Sequence, residues 1–538
     1  MPKDRIYEDL SLVRRRAGAV FWIVAALVFL ALVYYWKVQV LEHRKYADMA
    51  EANRVRMRVL AAPRGLIRDR KQGILADNKA SFKVSLIREN IRDEAATYAA
   101  IGRLLGLDEP TVRARVELHK DLPAFEPIVI ADGLDADDVA PIESRRLELP
   151  ELAVETEPQR FYPGEGLAAH ILGYLQEPSP EEIRSRPDRT FRPGELVGRT
   201  GVEREYDDIL RGQDGAAYEE VDSLGRVRGD ANARQVPIQG KDLTLTIDPE
   251  LQAEAERSLE GREGVVVALD AETGAILALA SYPTYDPNKF ITRFTPEEWT
   301  DLMNDPFSPL ENRAIRGLYA PGSIFKLVMG LAGLGFGYVT PDTTVYCSGA
   351  TEVYGAVRHC WFAPGHGAMN LAAAIQNSCN IYFYNLGRRM DIDTIAVAAG
   401  RLGLGRKTGV DLVGEKDGLV PTTGWKRKAL KAPWYPGETI SVAIGQGQLQ
   451  VTPMQIAALT AKIAGRGRGV WPHLVDEPAK IAAAAAEVEP ADPGGLPSFE
   501  PSTYEAVIAG MWRSVNEGGT GAQARVEGFD VCGKTGST

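Results

Sequence analysis

Ser323, Ile324, Phe325 and Lys326 place a hydroxyl and an amine three residues apart at the head of an apolar stretch, directly after Pro321-Gly322. If the stretch is helical, positions i and i+3 share a face and the amine lies beside the hydroxyl. A serine hydroxyl is a weak nucleophile until a base takes its proton. A lysine can take it when its surroundings hold the amine neutral. The N-terminus of such a helix also adds positive potential where an oxyanion would form. The pattern points to acyl transfer through a covalent serine intermediate. At ordinary Ser and Lys frequencies, about one S-x-x-K arises by chance in a chain of this length, so the pair needs company.

Ser378-Cys379-Asn380, an S-x-N, follows 55 residues later, and Lys534-Thr535-Gly536, a K-T-G, comes near the end. Each has a decoy, Ser514-Val515-Asn516 and Lys407-Thr408-Gly409. Context separates the two K-T-G copies. Lys534 follows the strand-like run Phe529–Gly533, whereas Lys407 sits in the glycine-rich turn Gly403-Leu404-Gly405-Arg406. A second kind of chemistry lies between the first two motifs. Cys347, Cys360, His366 and Cys379 are spaced 13, 6 and 13 residues apart. Three thiolates and an imidazole suit a closed, four-coordinate structural zinc. Cys379 is the middle residue of the S-x-N, so a metal there would pin the loop holding Ser378 and Asn380. A Cys347–Cys360 disulfide and unpaired buried thiols are the alternatives, and His359 could replace His366. Cys532 fits neither arrangement and is expected to be a buried strand residue.

The elements that carry these residues span a long chain. At 538 residues, two or three domains are the prior. With 45% hydrophobic and 25% charged residues the chain reads as folded. A net charge of −11 gives nucleic-acid binding no support. Four cysteines, all after residue 340, are too few for a disulfide scaffold. Ala17 to Trp36 is a run of 20 residues without charge, enough as a helix to cross about 30 Å of bilayer core. Its length, and the lack of a small-x-small site soon after it, favour an anchor over a cleaved signal. Arg14, Arg15 and Arg16 favour a cytoplasmic N-terminus, against Lys37, Arg44 and Lys45 on the far side. The division expected is a tail at 1–16, an anchor at 17–37, a β-rich arm at 38–235 opening with a helical stalk at 38–60, and a catalytic domain at 236–538.

In the catalytic domain Leu243, Leu245 and Ile247 alternate like a half-buried strand. Val265–Leu269 and Ala275–Leu279, joined by Asp270-Ala271-Glu272-Thr273-Gly274, read as a hairpin buried on both faces. Helices are expected at 323–335, 370–388 and 452–465, and a surface loop around Ala482–Ala486. The fold class is α+β, with helices packed on an antiparallel sheet.

The ordered S-x-x-K, S-x-N and K-T-G set resembles that of serine β-lactamases and penicillin-binding proteins. Over nearly its whole length the chain resembles a class B penicillin-binding protein of the elongation type. Tyr319-Ala320-Pro321-Gly322-Ser323-Ile324-Phe325-Lys326 resembles the nucleophile segment of that family. Arg64–Arg70, Arg160–Gly164 with Ala169–Tyr174, and Gly198–Glu203 with Tyr206 and Leu210-Arg211-Gly212 resemble its three arm motifs. Ile444-Gly445-Gln446-Gly447 before Val451-Thr452-Pro453 is similar to the elongation rather than the division type. Lys407–Leu412 matches a non-catalytic segment, and Asn516–Gly521 the stretch upstream of the catalytic K-T-G.

The resemblance implies a peptidoglycan D,D-transpeptidase that also binds penicillin covalently. Ser323 would attack the penultimate D-Ala carbonyl of a stem peptide and Lys326 would accept its proton. Ser378 and Asn380 would relay protons and hold the substrate amide. Lys534 and Thr535 would bind the substrate carboxylate beside Gly536 and Ser537, and the Ser323 and Ser537 N–H groups would form the oxyanion hole. Some relatives bind zinc at the cysteine positions. The resemblance further implies a single-pass protein of the inner membrane with a periplasmic catalytic domain. Its partners would be stem peptides, lipid-linked precursor, β-lactams, a SEDS-class glycosyltransferase and other elongation-complex proteins. Family members continue beyond the K-T-G, so the domain is expected to be C-terminally incomplete. A β-lactam hydrolase or sensor, and a non-catalytic wall scaffold, are the rivals; the arm motifs argue against the first, and intact Ser323, Lys326 and Lys534 against the second.

Overall fold

The computed structural model describes residues 10–45, 55–122, 124, 126–187, 189, 191, 195–221, 227–292, 294–477 and 497–537. Leu10–Trp36 is one helix of 27 residues, continued by a π-turn at Lys37–Leu41. Within Arg14–Leu41 an 18-residue stretch has a mean hydropathy of 2.5 and is not buried by the rest of the protein, and the helix is long and apolar enough to cross a membrane. The expected helical stalk ends early. Val55–Leu60 is a strand paired antiparallel with Gly215–Val221, which pairs in turn with Val227–Gln235. Its sequence, Val-Arg-Met-Arg-Val-Leu, alternates with period two, and that pattern outweighs the charge content that suggested a helix.

The chain folds as two compact units. The first comprises Met1–Ala62, Ala80–Glu157 and Gln213–Ile238. Its core is a strand pair, Ile128–Leu134 against Phe82–Leu86, covered by the helices Glu94–Leu105, Glu109–Leu118 and Ala136–Glu143. Val84, Leu86, Tyr98, Ile101, Ile128 and Ile130 are each no more than 2% exposed and seal it.

The second unit comprises Pro63–Lys79, Pro158–Gly212 and Gln239–Thr538. It therefore holds the arm-motif segments at 64–70, 160–174 and 198–212 in the same unit as the catalytic residues. A buried charge cluster ties those segments together. Arg64 donates to Glu203 at 2.7 Å and to Asp207 at 2.9 Å, while Arg160 donates to the other Glu203 oxygen at 2.6 Å. Burial alone would push the fully enclosed Glu203 carboxyl up, but the charges of Arg160 and Arg64 outweigh it and hold the group below its ordinary range. Gly201 has φ +61°, and a Cβ there would lie 2.5 Å from the Gly173 nitrogen, so only glycine fits this crossing.

The hairpin of the catalytic region is Gly264–Leu269 against Ile276–Tyr282. Asp270 fixes its turn by accepting from the Glu272 and Thr273 N–H groups. The second strand is buried, as expected, but the first is only half-buried throughout. No strand among the described residues pairs with its outer edge. Of the Leu243–Ile247 alternation only Leu243–Thr244 is strand, although Leu243, Leu245 and Ile247 all point into the core. Helix Phe325–Gly335 runs through the apolar interior, contacting Ile375, Phe383, Ile395 and Val507 in one cluster. Helix Pro453–Ala464 opens with a capping box between Thr452 and Gln455. The expected helix at 370–388 is two helices, Leu371–Gln376 and Asn380–Gly387. The loop expected at Ala482–Ala486 lies outside the described residues.

Candidate active site

Ser323 lies in a single 3-10 turn, Gly322–Ile324, that feeds helix Phe325–Gly335. Gly322 makes the turn possible: it has φ +53°, and its N–H donates to the Gly445 carbonyl at 2.9 Å. A Cβ on Gly322 would fall 2.2 Å from the Ser537 carbonyl oxygen, and one on Gly445 1.9 Å from the Gly322 carbonyl oxygen. Three backbone segments thus meet at the nucleophile turn with no room for side chains. One is the segment that follows Lys534.

Lys326, one helical turn on, is completely buried. Its Nζ donates to the Ser378 carbonyl at 2.8 Å, to Ser378 Oγ at 3.1 Å and to Asn380 Oδ1 at 2.7 Å. Lys534 Nζ donates to the same Ser378 Oγ at 3.0 Å and to the Thr535 carbonyl at 2.8 Å. The three motifs therefore converge, with one serine hydroxyl between two amines. Burial, and after it the nearby Lys534 charge, push the Lys326 pKa down to about 7; the Cys360 and Cys379 thiols act in the opposite sense. Burial also lowers Lys534, to about 8. Both values lie near neutrality, where a lysine can exchange protons in either direction.

The break between the two helices at 377–379 is what presents Ser378. This residue has φ +51°, a left-handed conformation uncommon for a non-glycine residue. The Ser378 N–H bonds back to Ile375 and the Cys379 N–H to Ala374, closing the first helix. Asn380 then starts the second helix, and its amide donates to the His359 carbonyl at 3.4 Å. Neither decoy is part of this arrangement. Thr408 and Gly409 wrap the Glu415 carboxylate, and Ser514 is buried inside helix Pro501–Asn516. The run 529–537 is not a strand and Cys532 is exposed, contrary to the expected buried strand position. Its local ties include Gly533 N–H to the Met511 carbonyl, Asn516 to the Val531 carbonyl and Trp512 Nε1 to Asp530, and no strand among the described residues pairs with it.

Cys347, Cys360, His366 and Cys379 come together, with all four ligand atoms within 4.8 Å of one another. All three cysteines are free and buried, so Cys347 and Cys360 are not joined. His366, not His359, completes the cluster. Its Nδ1 lies 3.5 Å from both the Cys347 and the Cys360 sulfur. Bond lengths of about 2.3 Å to sulfur and 2.0 Å to nitrogen give a tetrahedron with S···N edges of about 3.5 Å, so the donor set and its spacing fit a metal ion. The Cys360 thiol is lowered chiefly because it accepts a hydrogen bond from the Cys379 thiol.

Two contacts were not legible in the motifs. Trp361 Nε1 donates to the Asn377 carbonyl at 2.8 Å, bracing the loop ahead of Ser378. Thr535 Oγ1 hydrogen-bonds Thr520 Oγ1 at 2.9 Å. The stretch Asn516–Gly521 stands out in the sequence only by its resemblance, and no local pattern marks Thr520.

The pattern described as the penicillin binding protein transpeptidase domain matches residues 264–538, and that of the penicillin-binding protein dimerisation domain matches residues 59–245. The chain is 33% identical to the peptidoglycan D,D-transpeptidase MrdA of Acinetobacter baumannii over 526 residues, covering 97% of this chain and 78% of that protein. It is 30% identical to the MrdA of Escherichia coli K12 over 531 residues, covering 97% and 82%. Among solved structures it is similar to a penicillin-binding protein (PBP2) of Helicobacter pylori in complex with MreC, with a TM-score of 0.79, 30% identity, and coverage of 90% of this chain and 89% of the other. A structure described as "Structural coordination of polymerization and crosslinking by a peptidoglycan synthase complex" aligns with a TM-score of 0.67, 34% identity, and coverage of 97% and 88%.

Proposed function

The chain belongs to the class B penicillin-binding protein transpeptidase family, and from that premise we propose that it cross-links peptidoglycan stem peptides during cell elongation through an acyl-enzyme on Ser323. It is a serine-type D,D-transpeptidase. The observation that carries the assignment of residues is the convergence of Lys326 and Lys534 on Ser378 Oγ. In the first step Ser323 Oγ attacks the penultimate D-Ala carbonyl carbon, and its proton passes to neutral Lys326, directly or through Ser378. The carbonyl oxygen becomes an oxyanion facing the Ser323 and Ser537 N–H groups. Collapse breaks the peptide bond, and the departing D-Ala amine takes the proton back. In the second step the amine of another stem peptide attacks the ester, and Ser323 leaves with a proton. Lys534 and Thr535, beside Gly536, hold the carboxylate of the donor, and Asn380 its amide.

Cys347, Cys360, His366 and Cys379 would hold a structural zinc. A closed four-ligand site supplies folding energy rather than a reactive water. Cys379 lies between Ser378 and Asn380, so these ligands would fix the catalytic loop. The domain division proposed is an anchor at 17–37, a pedestal at 38–235 and a transpeptidase domain at 236–538, with the latter two on the periplasmic side of the inner membrane. A SEDS-class glycosyltransferase and elongation-complex proteins are the proposed partners, alongside lipid-linked precursor and β-lactams. The complexes formed by the similar proteins support this reading. The match to a dimerisation domain favours it over a hydrolase or sensor, which needs no such arm.

The test is a reconstituted reaction between a donor peptide ending in D-Ala-D-Ala and an amine-bearing acceptor peptide. We expect one D-Ala released per cross-link, and neither product with Ser323→Ala. Release of D-Ala from the Ser323→Ala protein at the wild-type rate would refute the assignment.

A further inference from the structure

Thr520 belongs to none of the three motifs, yet its hydroxyl is the hydrogen-bond partner of the Thr535 hydroxyl, at 2.9 Å. We infer that Thr520 is a positioning residue that aims the Thr535 hydroxyl at the carboxylate of the donor peptide; the inference rests on the reading of Thr535 given above.

The turn that carries Thr520 is held to the helix whose end becomes the S-x-N. The Thr520 N–H donates to the Gln376 carbonyl at 3.2 Å, and the Gln376 side-chain amide donates to the Glu517 carbonyl at 2.9 Å. The Gly521 N–H donates to the Ser514 carbonyl at 3.0 Å. A Cβ on Gly519 would lie 2.6 Å from both the Gln376 carbonyl oxygen and the Ser514 Cα, and Gly518 has φ +71°. Two glycines therefore let this turn press against the end of Leu371–Gln376. The K-T-G is tied to this assembly at two points, Lys534 to Ser378 just past the helix end and Thr535 to Thr520 in the turn held against it.

Each threonine hydroxyl has one proton and two lone pairs. With no anion bound, the Thr535 proton satisfies Thr520. A carboxylate is the stronger acceptor, because hydrogen bonds to an ionised group are roughly twice as strong as neutral ones. When it arrives, the Thr535 proton turns to it and the Thr520 proton turns to Thr535 Oγ1. Both hydroxyls rotate only their hydrogens, no hydrogen bond is lost, and the pair is polarised toward the anion. Valine at position 520 keeps the shape and removes both the donor and the acceptor. Thr535, an exposed residue of a segment with which no strand among the described residues pairs, then loses its hydroxyl partner.

The test compares wild type, Thr520→Val and Thr520→Ser in the full chain in detergent, using a penicillin and the same penicillin with its carboxylate blocked as the methyl ester. The contact to the carboxylate exists before as well as during acylation, so its loss should weaken the initial complex and leave the limiting acylation rate unchanged. With the free acid, Thr520→Val should bind about 10-fold more weakly, the equivalent of one hydrogen bond, and serine should restore it. With the ester, wild type and Thr520→Val should react alike. Equal losses with both compounds would show a merely structural role, and unchanged affinity for the free acid would show none; either overturns the inference. A wild-type chain that forms no Ser323 adduct with the free acid would instead overturn the proposed function, and this inference with it.

Discussion

The buried Lys326 makes a quantitative demand on the pH dependence of acylation. Its ammonium is stripped of water and faces Lys534, which brings its pKa down to about 7 from the ordinary 10.5. At pH 7 about half of the molecules then carry a neutral amine, against about one in 3,000 for an ordinary lysine. If Lys326 is the base for Ser323, that difference raises the population of the active form about 1,500-fold, equivalent to about 4 kcal/mol, part of which is offset by the lower basicity of the amine. The sign follows directly: the active form is neutral, so the limiting acylation rate rises through pH 7. Well below it, the rate falls about tenfold for each pH unit. Lys534 must be charged to hold a carboxylate, and burial sets it at about 8. Affinity for penicillin should therefore fall above pH 8, and the second-order rate constant should be bell-shaped with its maximum between these values. Lys534→Gln removes the second-largest cause of the Lys326 shift, so the acidic limb of the limiting rate should move to higher pH. The assay is time-resolved acylation by a fluorescent penicillin between pH 5 and 9.5, with concentration varied at each pH to separate affinity from rate. A limiting rate that is flat between pH 5 and 7, or a limb that moves down in Lys534→Gln, would refute Lys326 as the base.

Two further outcomes are expected. Protein purified without chelator should carry about one zinc per chain, and Cys379→Ser should lower metal content, melting temperature and acylation rate together, because metal-binding energy is folding energy; metal analysis and calorimetry would check this. Glu203→Gln should destabilise the catalytic unit by about 3–5 kcal/mol, since it leaves the buried Arg160 guanidinium without its carboxylate and Arg64 with Asp207 in place of two. The Glu203 carboxyl is depressed in the folded protein, so its stabilisation is present above its unfolded pKa of about 4.3 and is lost as pH falls through the folded value. Denaturant titrations near neutrality and in acid should show the gap between wild type and variant closing at low pH.

The nucleophile segment and the K-T-G were legible because their spacing is local. Ser323 and Lys326 share a helix face wherever that helix lies, and the metal ligands announce themselves by residue type. The geometry that completes the site is long-range. Ser378 is presented by a left-handed break inside what reads as one helix, because the apolar pattern of 370–388 continues across it. Thr520 meets Thr535 only after the turn at 517–521 folds onto the end of a helix more than a hundred residues earlier in the chain. The arm motifs gave no hint that Arg64, Arg160 and Glu203 form one buried cluster, since ion pairing between distant segments leaves no period in a sequence. The arginines of Val55–Leu60 mask its period-two strand pattern, and the apolar run around Cys532 resembles a buried strand although no strand among the described residues pairs with it and the thiol is exposed.

The central claim is that Ser323 is the acylated nucleophile. The chain carries arginine at 316 and lysine at 326, so trypsin isolates the residue in the peptide Gly317–Lys326. After incubation with a penicillin of known mass and digestion, fragmentation should place one intact penicilloyl group on Ser323 of this peptide, and Ser323→Ala should carry none. An adduct on any other residue, or an unmodified Gly317–Lys326 peptide in folded protein saturated with penicillin, would contradict it.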